Sequence, residues 1–160
     1  MKIIEYEDKY LEDVRDLLVE LEEYLVSIDK DNLDQIGKHY REKMALMDLE
    51  KVQNNNGKCY LAIDNDRAIG LIMGIETKYD EKDYLDYKCP KKGEITELIV
   101  SEKYRKTKIG QELMNKMEEY LTSIGCLYIA VDVFAYNENA INFYEKYGYH
   151  ARMISMIKKI

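Results

Sequence analysis

Apolar side chains recur every three or four positions in four parts of the chain, and this spacing predicts four amphipathic helices. The four segments are residues 11–25, 33–47, 109–124 and 140–147. Gly125 and Gly148 follow the last two segments, where glycine commonly ends a helix. Asn137 precedes the fourth segment and can cap its first turn.

Between these segments the pattern alternates, or becomes continuously apolar, as it does in strands. The predicted strands are residues 2–6, 58–64, 68–77, 94–101, 127–134 and 152–160. Asn65, Asp66 and Arg67 predict a hairpin turn between the second and third strands. Residues 127–134 form a nearly unbroken apolar run, which is typical of a strand buried on both faces.

The predicted order of elements is strand, two helices, three strands, helix, strand, helix, strand. Residues 94–134 form a strand–helix–strand unit, which normally gives a parallel pair with a right-handed crossover. The hairpins before this unit add antiparallel neighbours. We therefore expect a single α/β domain over residues 1–160, with a mixed sheet and helices on both faces.

Composition narrows the class of protein. The chain has 160 residues, 46% of them apolar, and a net charge of −7, which disfavours nucleic acid and anionic membranes as partners of the whole surface. No apolar run is long enough to cross a membrane, and the N-terminal residues have no signal-peptide core. The three cysteines, Cys59, Cys89 and Cys126, are widely spaced. We expect free thiols in a cytosolic protein and no metal site.

One candidate for chemistry is a basic cluster in this acidic chain. Lys103, Arg105, Lys106 and Lys108 lie between a predicted strand and a predicted helix, and Gly110 follows in the first turn. Unpaired N–H groups and the positive end of the helix dipole attract anions there. The cluster predicts a ligand with several phosphates, and the alternative is a solvated basic turn.

A second candidate is the short helix after Asn137. Ala140, Tyr144 and Tyr147 share one face of that helix, which should look back at the sheet. Tyr144 is then either a core aromatic or a phenol that belongs to a site.

Together and in this order, the two segments resemble the GCN5-related N-acetyltransferase (GNAT) superfamily. The family writes its acyl-CoA phosphate loop R/Q-x-x-G-x-G/A; here Arg105 and Gly110 match, Gln111 follows, and Lys108 replaces the middle glycine. The later pattern N-x-x-A-x-x-F/L-Y-E-K-x-G-F/Y is matched at Asn137, Ala140, Phe143, Tyr144, Glu145, Lys146, Gly148 and Tyr149. The resemblance runs from about residue 58 onward.

The resemblance implies the acyl-CoA N-acyltransferase fold, a mostly antiparallel sheet with a central parallel pair. The family splays the strands at 94–101 and 127–134 beside a bulge, and acetyl-CoA lies in the resulting cleft. The residues that this assigns to acetyl-CoA are Leu98, Ile99, Val100, Arg105, Lys106, Thr107, Lys108, Ile109, Gly110, Gln111 and Asn137.

The resemblance also implies acetyl transfer to a primary amine of a small molecule or peptide. Tyr144 would be the general acid, and the base is left open among Glu97, Asp132 and Glu94. Acidic residues of the connection at 78–93 either shape the acceptor pocket or form a solvated loop. An inactive acyl-CoA-binding module is the alternative function, and the substitution at Lys108 is its main support. The last strand could mediate a homodimer, although no sequence feature requires one.

Overall fold

The computed structural model describes residues 1–160, and its sheet has five strands in the order β1-β2-β3-β4-β5. The strands are β1 Lys2–Glu5, β2 Lys58–Asp64, β3 Arg67–Glu76, β4 Lys92–Val100 and β5 Tyr128–Val131. Neighbouring strands are antiparallel except β4 and β5, which are parallel. The central parallel pair predicted for residues 94–134 is therefore confirmed.

Helices cover both faces of this sheet, as predicted. They are α1 Leu11–Ile28, α2 Tyr40–Asn54, α3 Asp83–Asp86, α4 Ile109–Ser123 and α5 Glu138–Lys146. One core lies between the sheet and α1 and α2, and it includes Leu18, Leu61 and Met73. The other lies on the α4 and α5 side and includes Ile72 and Met117. Alternate residues of β3 therefore supply opposite cores.

Two glycines set how closely α4 approaches the sheet. A Cβ on Gly74 would lie 2.5 Å from the Met117 sulfur, and one on Gly93 would lie 2.7 Å from a Leu121 methyl carbon. Because such contacts are too short for real side chains, α4 packs directly on the backbone of β3 and β4 at these points.

A β-bulge interrupts β4. Met73 pairs with Glu97 while Gly74 pairs with Ile95, so Thr96 is an extra residue in β4. The bulge reverses the alternation: Ile95 packs in the α4-side core, and Ile99 packs in the α1-side core. Residues four apart would otherwise share a face. Glu97 is thereby placed on the same face as Ile99, towards α1 and α2.

The ladder between β4 and β5 ends early. It joins residues Lys92 to Ile95 of β4 with Tyr128 to Val131 of β5, and β4 continues to Val100 without β5 beside it. The two strands separate just before the bulge, and this opens a cleft between the second half of β4 and the chain after β5.

The second helix and the fifth strand differ from the prediction: the helix begins later and the strand is shorter than expected. The second helix begins at Tyr40, and Leu33 and Ile36 lie exposed before it. The carboxylate of Asp29 accepts the N–H groups of Leu33 and Asp34, at 2.5 and 2.9 Å, so the backbone turns there and does not begin a helix.

The apolar run at 127–134 is likewise not a strand buried on both faces. Only Tyr128–Val131 is a strand, and Leu127 and Tyr128 are 74% and 62% exposed. The prediction failed because β5 is the edge strand of the sheet. The expected strand at 152–160 is also wrong, since those residues are exposed and carry no regular structure.

None of the helices is both long and apolar enough to cross a membrane. All three cysteines are unpaired, and Cys59 and Cys126 are buried. The cytosolic location stays a prediction.

An ion pair between the buried Asp13 and the largely exposed Arg67 fastens α1 to the β2–β3 hairpin, and it gives a test of the fold. The Asp13 carboxylate accepts from Arg67 Nε at 2.6 Å and from the Ala68 N–H at 2.8 Å, while only 7% of Asp13 is exposed. Asp13→Ala leaves both donors without their partner, so we expect a loss of about 1–3 kcal/mol in the free energy of unfolding, measured in urea. Glu23→Ala, an exposed acid on the same helix, should change it by less than about 0.5 kcal/mol. Equal losses in the two variants would contradict this account.

Candidate active site

The loop between β4 and α4 has the backbone of an anion site. Lys106 has a positive φ of 63°, whereas Lys108 has a φ of −79°. The position where the family pattern has its middle glycine therefore adopts a conformation open to any residue. Replacing that glycine by Lys108 costs no backbone strain.

Five N–H groups of this loop and of the first turn of α4 have no hydrogen-bond partner in the protein. They belong to Lys106, Thr107, Lys108, Gly110 and Gln111. The neighbouring N–H groups are used, since Ile109 donates to Thr107 Oγ1 at 3.4 Å and Glu112 donates to the Lys108 carbonyl at 2.9 Å. Unpaired amides at the start of a 15-residue helix are suited to a diphosphate.

Arg105 is engaged by α1 instead. Its guanidinium lies 3.3 Å from Glu20 Oε1 and donates through Nε to the Val100 carbonyl at 3.0 Å. The same Glu20 carboxylate accepts the Glu102 N–H at 2.7 Å and the Ser101 hydroxyl at 3.0 Å. Glu20 thus fixes the start of the loop, and it offsets the charge of Arg105.

A second contact from α1 crosses the cleft to α5. The Tyr24 hydroxyl donates to Asn137 Oδ1 at 3.2 Å, and the Tyr24 ring lies 5.5 Å from the Arg105 guanidinium carbon. Asn137 Oδ1 also accepts the Ala140 N–H at 3.2 Å, so Asn137 caps α5 as predicted. The cleft is therefore framed by α1, by the loop after β4 and by the start of α5.

Tyr144 lies on α5 in the α4-side core. It is 9% exposed, and its ring packs edge-on against Phe143 and Tyr149, with centroids 5.4 and 5.6 Å away. Burial, and secondarily the charge of Glu97, raises the pKa of Tyr144 to about 12. The phenol therefore keeps its proton at neutral pH and can act as a donor.

Glu97 is the carboxyl whose charge acts on the pKa of Tyr144. Burial raises the pKa of Glu97 to about 8, and the charges of Asp48 and Glu22 add to the increase. A carboxylate of ordinary pKa is a weak base, whereas one with a pKa near 8 accepts protons efficiently near neutral pH. Glu97 faces α1 and α2 and Tyr144 lies in the α4-side core, and the charge of Glu97 acts on Tyr144; the catalytic roles of both residues stay predictions.

Sequence reasoning missed the acidic residues around Glu97. Glu22 on α1 and Asp48 on α2 both act on it, and the Tyr40 hydroxyl donates to Glu22 at 3.4 Å. Burial, followed by the charge of Glu22, raises the pKa of Tyr40. A signal was present, because Glu22 lies four residues after Leu18 and Asp48 lies four residues before Val52. Each acid thus interrupts the buried stripe of its helix.

Other predicted groups lie elsewhere. Asp132 is exposed just after β5, on the other side of the cleft, and Glu94 lies on β4 within the part paired to β5. The connection before β4 leads to the paired end of the cleft, and its acids are not among the charges acting on Glu97. The acidic environment of Glu97 comes from α1 and α2. No three His, Cys, Asp or Glu side chains of the structure are grouped to hold a metal ion.

The family model "Acetyltransferase (GNAT) family" matches residues 12–149, which cover both the loop after β4 and α5. The chain belongs to the GNAT acetyltransferase family. The match extends the resemblance from the second half of the chain back into α1.

Solved structures with the same fold include three GNAT-like chains. A mutant form of the BH1408 protein from Bacillus halodurans superposes with a TM-score of 0.85 at 18% identity, covering 100% of this chain and 99% of that one. A GNAT-family acetyltransferase from Staphylococcus aureus Mu50 gives 0.67 at 22% identity, over 92% and 82% of the two chains. The aminoglycoside N-acetyltransferase AAC(6')-Iy, solved in complex with CoA, gives 0.68 at 16% identity, over 99% and 100%.

The residues of the GNAT loop fit an acyl-CoA by their unpaired amides, and Gly110 allows this to be tested. A Cβ on Gly110 would lie 3.7 Å from Phe143 and 3.8 Å from Val100, which are ordinary contacts. Gly110→Ala should therefore keep CoA affinity within about threefold. Gly110→Glu puts a negative charge beside the unpaired amides, and we expect at least about tenfold weaker binding by calorimetry. Asn115→Glu, an exposed position on the same helix, controls for the added charge. Unchanged affinity in Gly110→Glu would contradict a diphosphate at this turn.

Proposed function

We propose that this GNAT protein is an N-acetyltransferase that moves an acetyl group from acetyl-CoA to a primary amine by direct attack. The observation that carries the proposal is that the charge of Glu97, whose pKa is about 8, acts on Tyr144, whose pKa is about 12. One is suited to take a proton and the other to give one at the same pH. The cleft beside the bulge, where β4 has β3 but not β5 as a neighbour over Leu98, Ile99 and Val100, suits an extended pantetheine arm.

The proton inventory of the reaction assigns one step to each residue. Glu97, directly or through a water, accepts a proton from the substrate ammonium, which frees the nitrogen lone pair to attack the thioester carbonyl carbon. As the C–N bond forms and the C–S bond breaks, Tyr144 donates its proton to the departing sulfur. The attacking nitrogen loses its second proton to solvent as the C–S bond breaks, and the proton held by Glu97 returns to Tyr144 through solvent. The products are an amide, CoA thiol and one released proton. No metal or redox partner is needed for this balance.

The charge around Glu97 favours a cationic acceptor. Glu22 and Asp48 flank it from α1 and α2, and Lys51 is the basic residue whose charge opposes theirs. A primary amine is an ammonium at neutral pH, so these carboxylates attract it before Glu97 removes its proton. The related fold of AAC(6')-Iy was also solved with a bisubstrate analogue of CoA and an acetylated neamine, which agrees with an amine acceptor. Whether the acceptor is a small molecule or a peptide is left to a screen.

The alternative is a GNAT module that binds acyl-CoA without turnover. Its support is that Glu20 offsets the charge of Arg105. The substitution at Lys108 adds no support, because this residue has a negative φ. Tyr144 argues against this alternative. A protein that only binds acyl-CoA needs neither a protonated phenol nor a carboxyl group with a raised pKa.

Release of free thiol from acetyl-CoA, followed with a panel of mono- and dicationic amines, tests the proposal. We expect turnover with at least one amine, and lower KM values for dicationic ones. Tyr144→Phe should lower kcat by about 100-fold while CoA still binds, because the sulfur then leaves without a proton donor.

Tyr147→Phe, at the residue directly after the same helix and outside the surroundings of Glu97, should stay within about threefold of the wild type. Tight binding of acetyl-CoA with no thiol released for any amine, and no difference between the variants, would establish the binding module instead.

The role of Glu97 predicts a particular pH dependence. A base must be deprotonated, so kcat/KM of the wild type should rise with pH until about pH 8 because of Glu97. Ionisation of the amine affects kcat/KM of the wild type and of Glu97→Gln alike, so it cancels when the wild-type value is divided by the variant value. This ratio of kcat/KM values should rise about tenfold per pH unit below pH 8 and become constant above it. A ratio that stays flat from pH 6 to pH 9 would exclude Glu97 as the base.

A further inference from the structure

One face of α1 contacts both walls of the cleft. Glu20 and Tyr24 are four residues apart on this helix, so their side chains share a face. The Glu20 carboxylate accepts the Glu102 N–H at 2.7 Å, at the start of the loop that carries the unpaired amides. The Tyr24 hydroxyl donates to Asn137 Oδ1 at 3.2 Å, at the start of α5. The loop after β4 and α5 are therefore joined to each other through α1.

Arg105 is held between the same two side chains. Its Nη2 lies 3.3 Å from Glu20 Oε1, and its guanidinium carbon lies 5.5 Å from the centre of the Tyr24 ring. Its Nε donates to the Val100 carbonyl at 3.0 Å. An arginine engaged by a carboxylate, an aromatic ring and a backbone carbonyl connects the loop to α1.

The sheet itself does not fix the distance between the two walls at this end. The β4–β5 ladder stops at Ile95 and Val131, so no strand pairing joins Leu98–Val100 to the chain that leads into α5. A ligand between the walls needs a defined separation, because a misplacement of about 1 Å loses much of the benefit of positioned groups. The contacts of Glu20 and Tyr24 supply the connection that the sheet lacks here.

We propose that Glu20 and Tyr24 are positioning residues that hold the two walls of the cleft at the separation an acyl-CoA requires. Their role rests on the acyl-CoA binding of the proposed function, and neither side chain takes part in proton transfer. Glu20 acts through the backbone that leads into the unpaired amides. Tyr24 acts through Asn137, which also caps the helix that carries Tyr144. Loss of either contact should therefore weaken binding of the coenzyme.

Two substitutions of Glu20 separate the position of the loop from its charge. Glu20→Gln removes the negative charge and keeps an oxygen that accepts the Glu102 N–H, whereas Glu20→Ala removes that oxygen as well. By calorimetry we expect CoA affinity within about threefold of the wild type for Glu20→Gln and at least about tenfold weaker for Glu20→Ala, since an N–H without its acceptor no longer fixes the turn. Glu23→Ala, at an exposed acid on the same helix, is the control and should bind CoA as the wild type does. If Glu20 acted only by offsetting the charge of Arg105, both Glu20 variants would bind CoA more tightly, and this result would overturn the proposal.

Tyr24→Phe tests the contact with the other wall. It removes the hydrogen bond to Asn137 and keeps the ring beside Arg105, and we expect CoA affinity to be about fivefold weaker. Combined with Glu20→Ala, it should cost less than the product of the two single losses, because one missing contact already lets the walls separate. Tighter CoA binding by Tyr24→Phe would contradict the positioning role, since the contact would then obstruct the cleft.

Steady-state kinetics distinguish positioning from a loss of folded protein. In Glu20→Ala and Tyr24→Phe the KM for acetyl-CoA should rise while kcat stays within about twofold, whereas a lower folded fraction would reduce kcat and leave KM unchanged. The second pattern would overturn the proposal. A wild type and variants that show these ratios of CoA affinity but release no thiol would support the positioning role and contradict acetyl transfer alone. A wild type that fails to bind CoA would overturn both.

Discussion

The bulge at Thr96 is the constraint on which the site depends. A regular β4 would place Glu97 on the face of Ile95, against α4, where a carboxyl would be buried in an apolar core. The extra residue turns Glu97 towards α1 and α2, and at the same point β5 stops pairing with β4. One irregularity thus orients a side chain and coincides with the opening of a cleft. The close contacts of α4 at Gly74 and Gly93, both on the side of the bulge where β4 pairs with β5, hold the sheet in this shape.

Opposite electrostatic environments lie at the two ends of that cleft. Unpaired amides and the dipole of α4 make one end attractive to anions, although the chain is acidic overall. At the other end burial raises the pKa of Glu97, and the charges of Asp48 and Glu22 add to the increase. The two ends of the cleft therefore suit ligands of opposite charge. The net charge of −7 predicts neither end, because binding responds to the local field and not to the total.

Much of the fold followed from local sequence. The hairpin at Asn65 and Asp66 was predictable because both residues take a positive φ, which Asn and Asp tolerate, and the helix that carries Tyr144 was predictable because Asn137 caps it. The role of Tyr144 stays a prediction. The effect of the Asp48 charge on Glu97 was not predictable from the sequence, since it requires the packing of α2 against the sheet. The end of β5 was missed for a similar reason: an apolar run does not reveal whether a neighbouring strand is present. Residues 152–160 were expected to be a strand, but their apolar residues lie at positions 153, 154, 156, 157 and 160 and do not alternate strictly, and no strand lies beside them.

The contacts of Glu20 indicate that phosphate binding at the loop after β4 depends on backbone N–H groups more than on the charge of Arg105. The Glu20 carboxylate accepts the Glu102 N–H and pairs with the Arg105 guanidinium. Arg105 therefore attracts a phosphate less strongly than an unpaired arginine would. The five unpaired amides keep their direction whatever the side chains do, because the backbone of Lys106 to Gln111 fixes them. Backbone donors bind a diphosphate by shape, and they lose less strength in salt than mobile lysines do. This explains why a lysine can stand at position 108: the loop needs the N–H of that residue and a negative φ, and both are supplied without glycine.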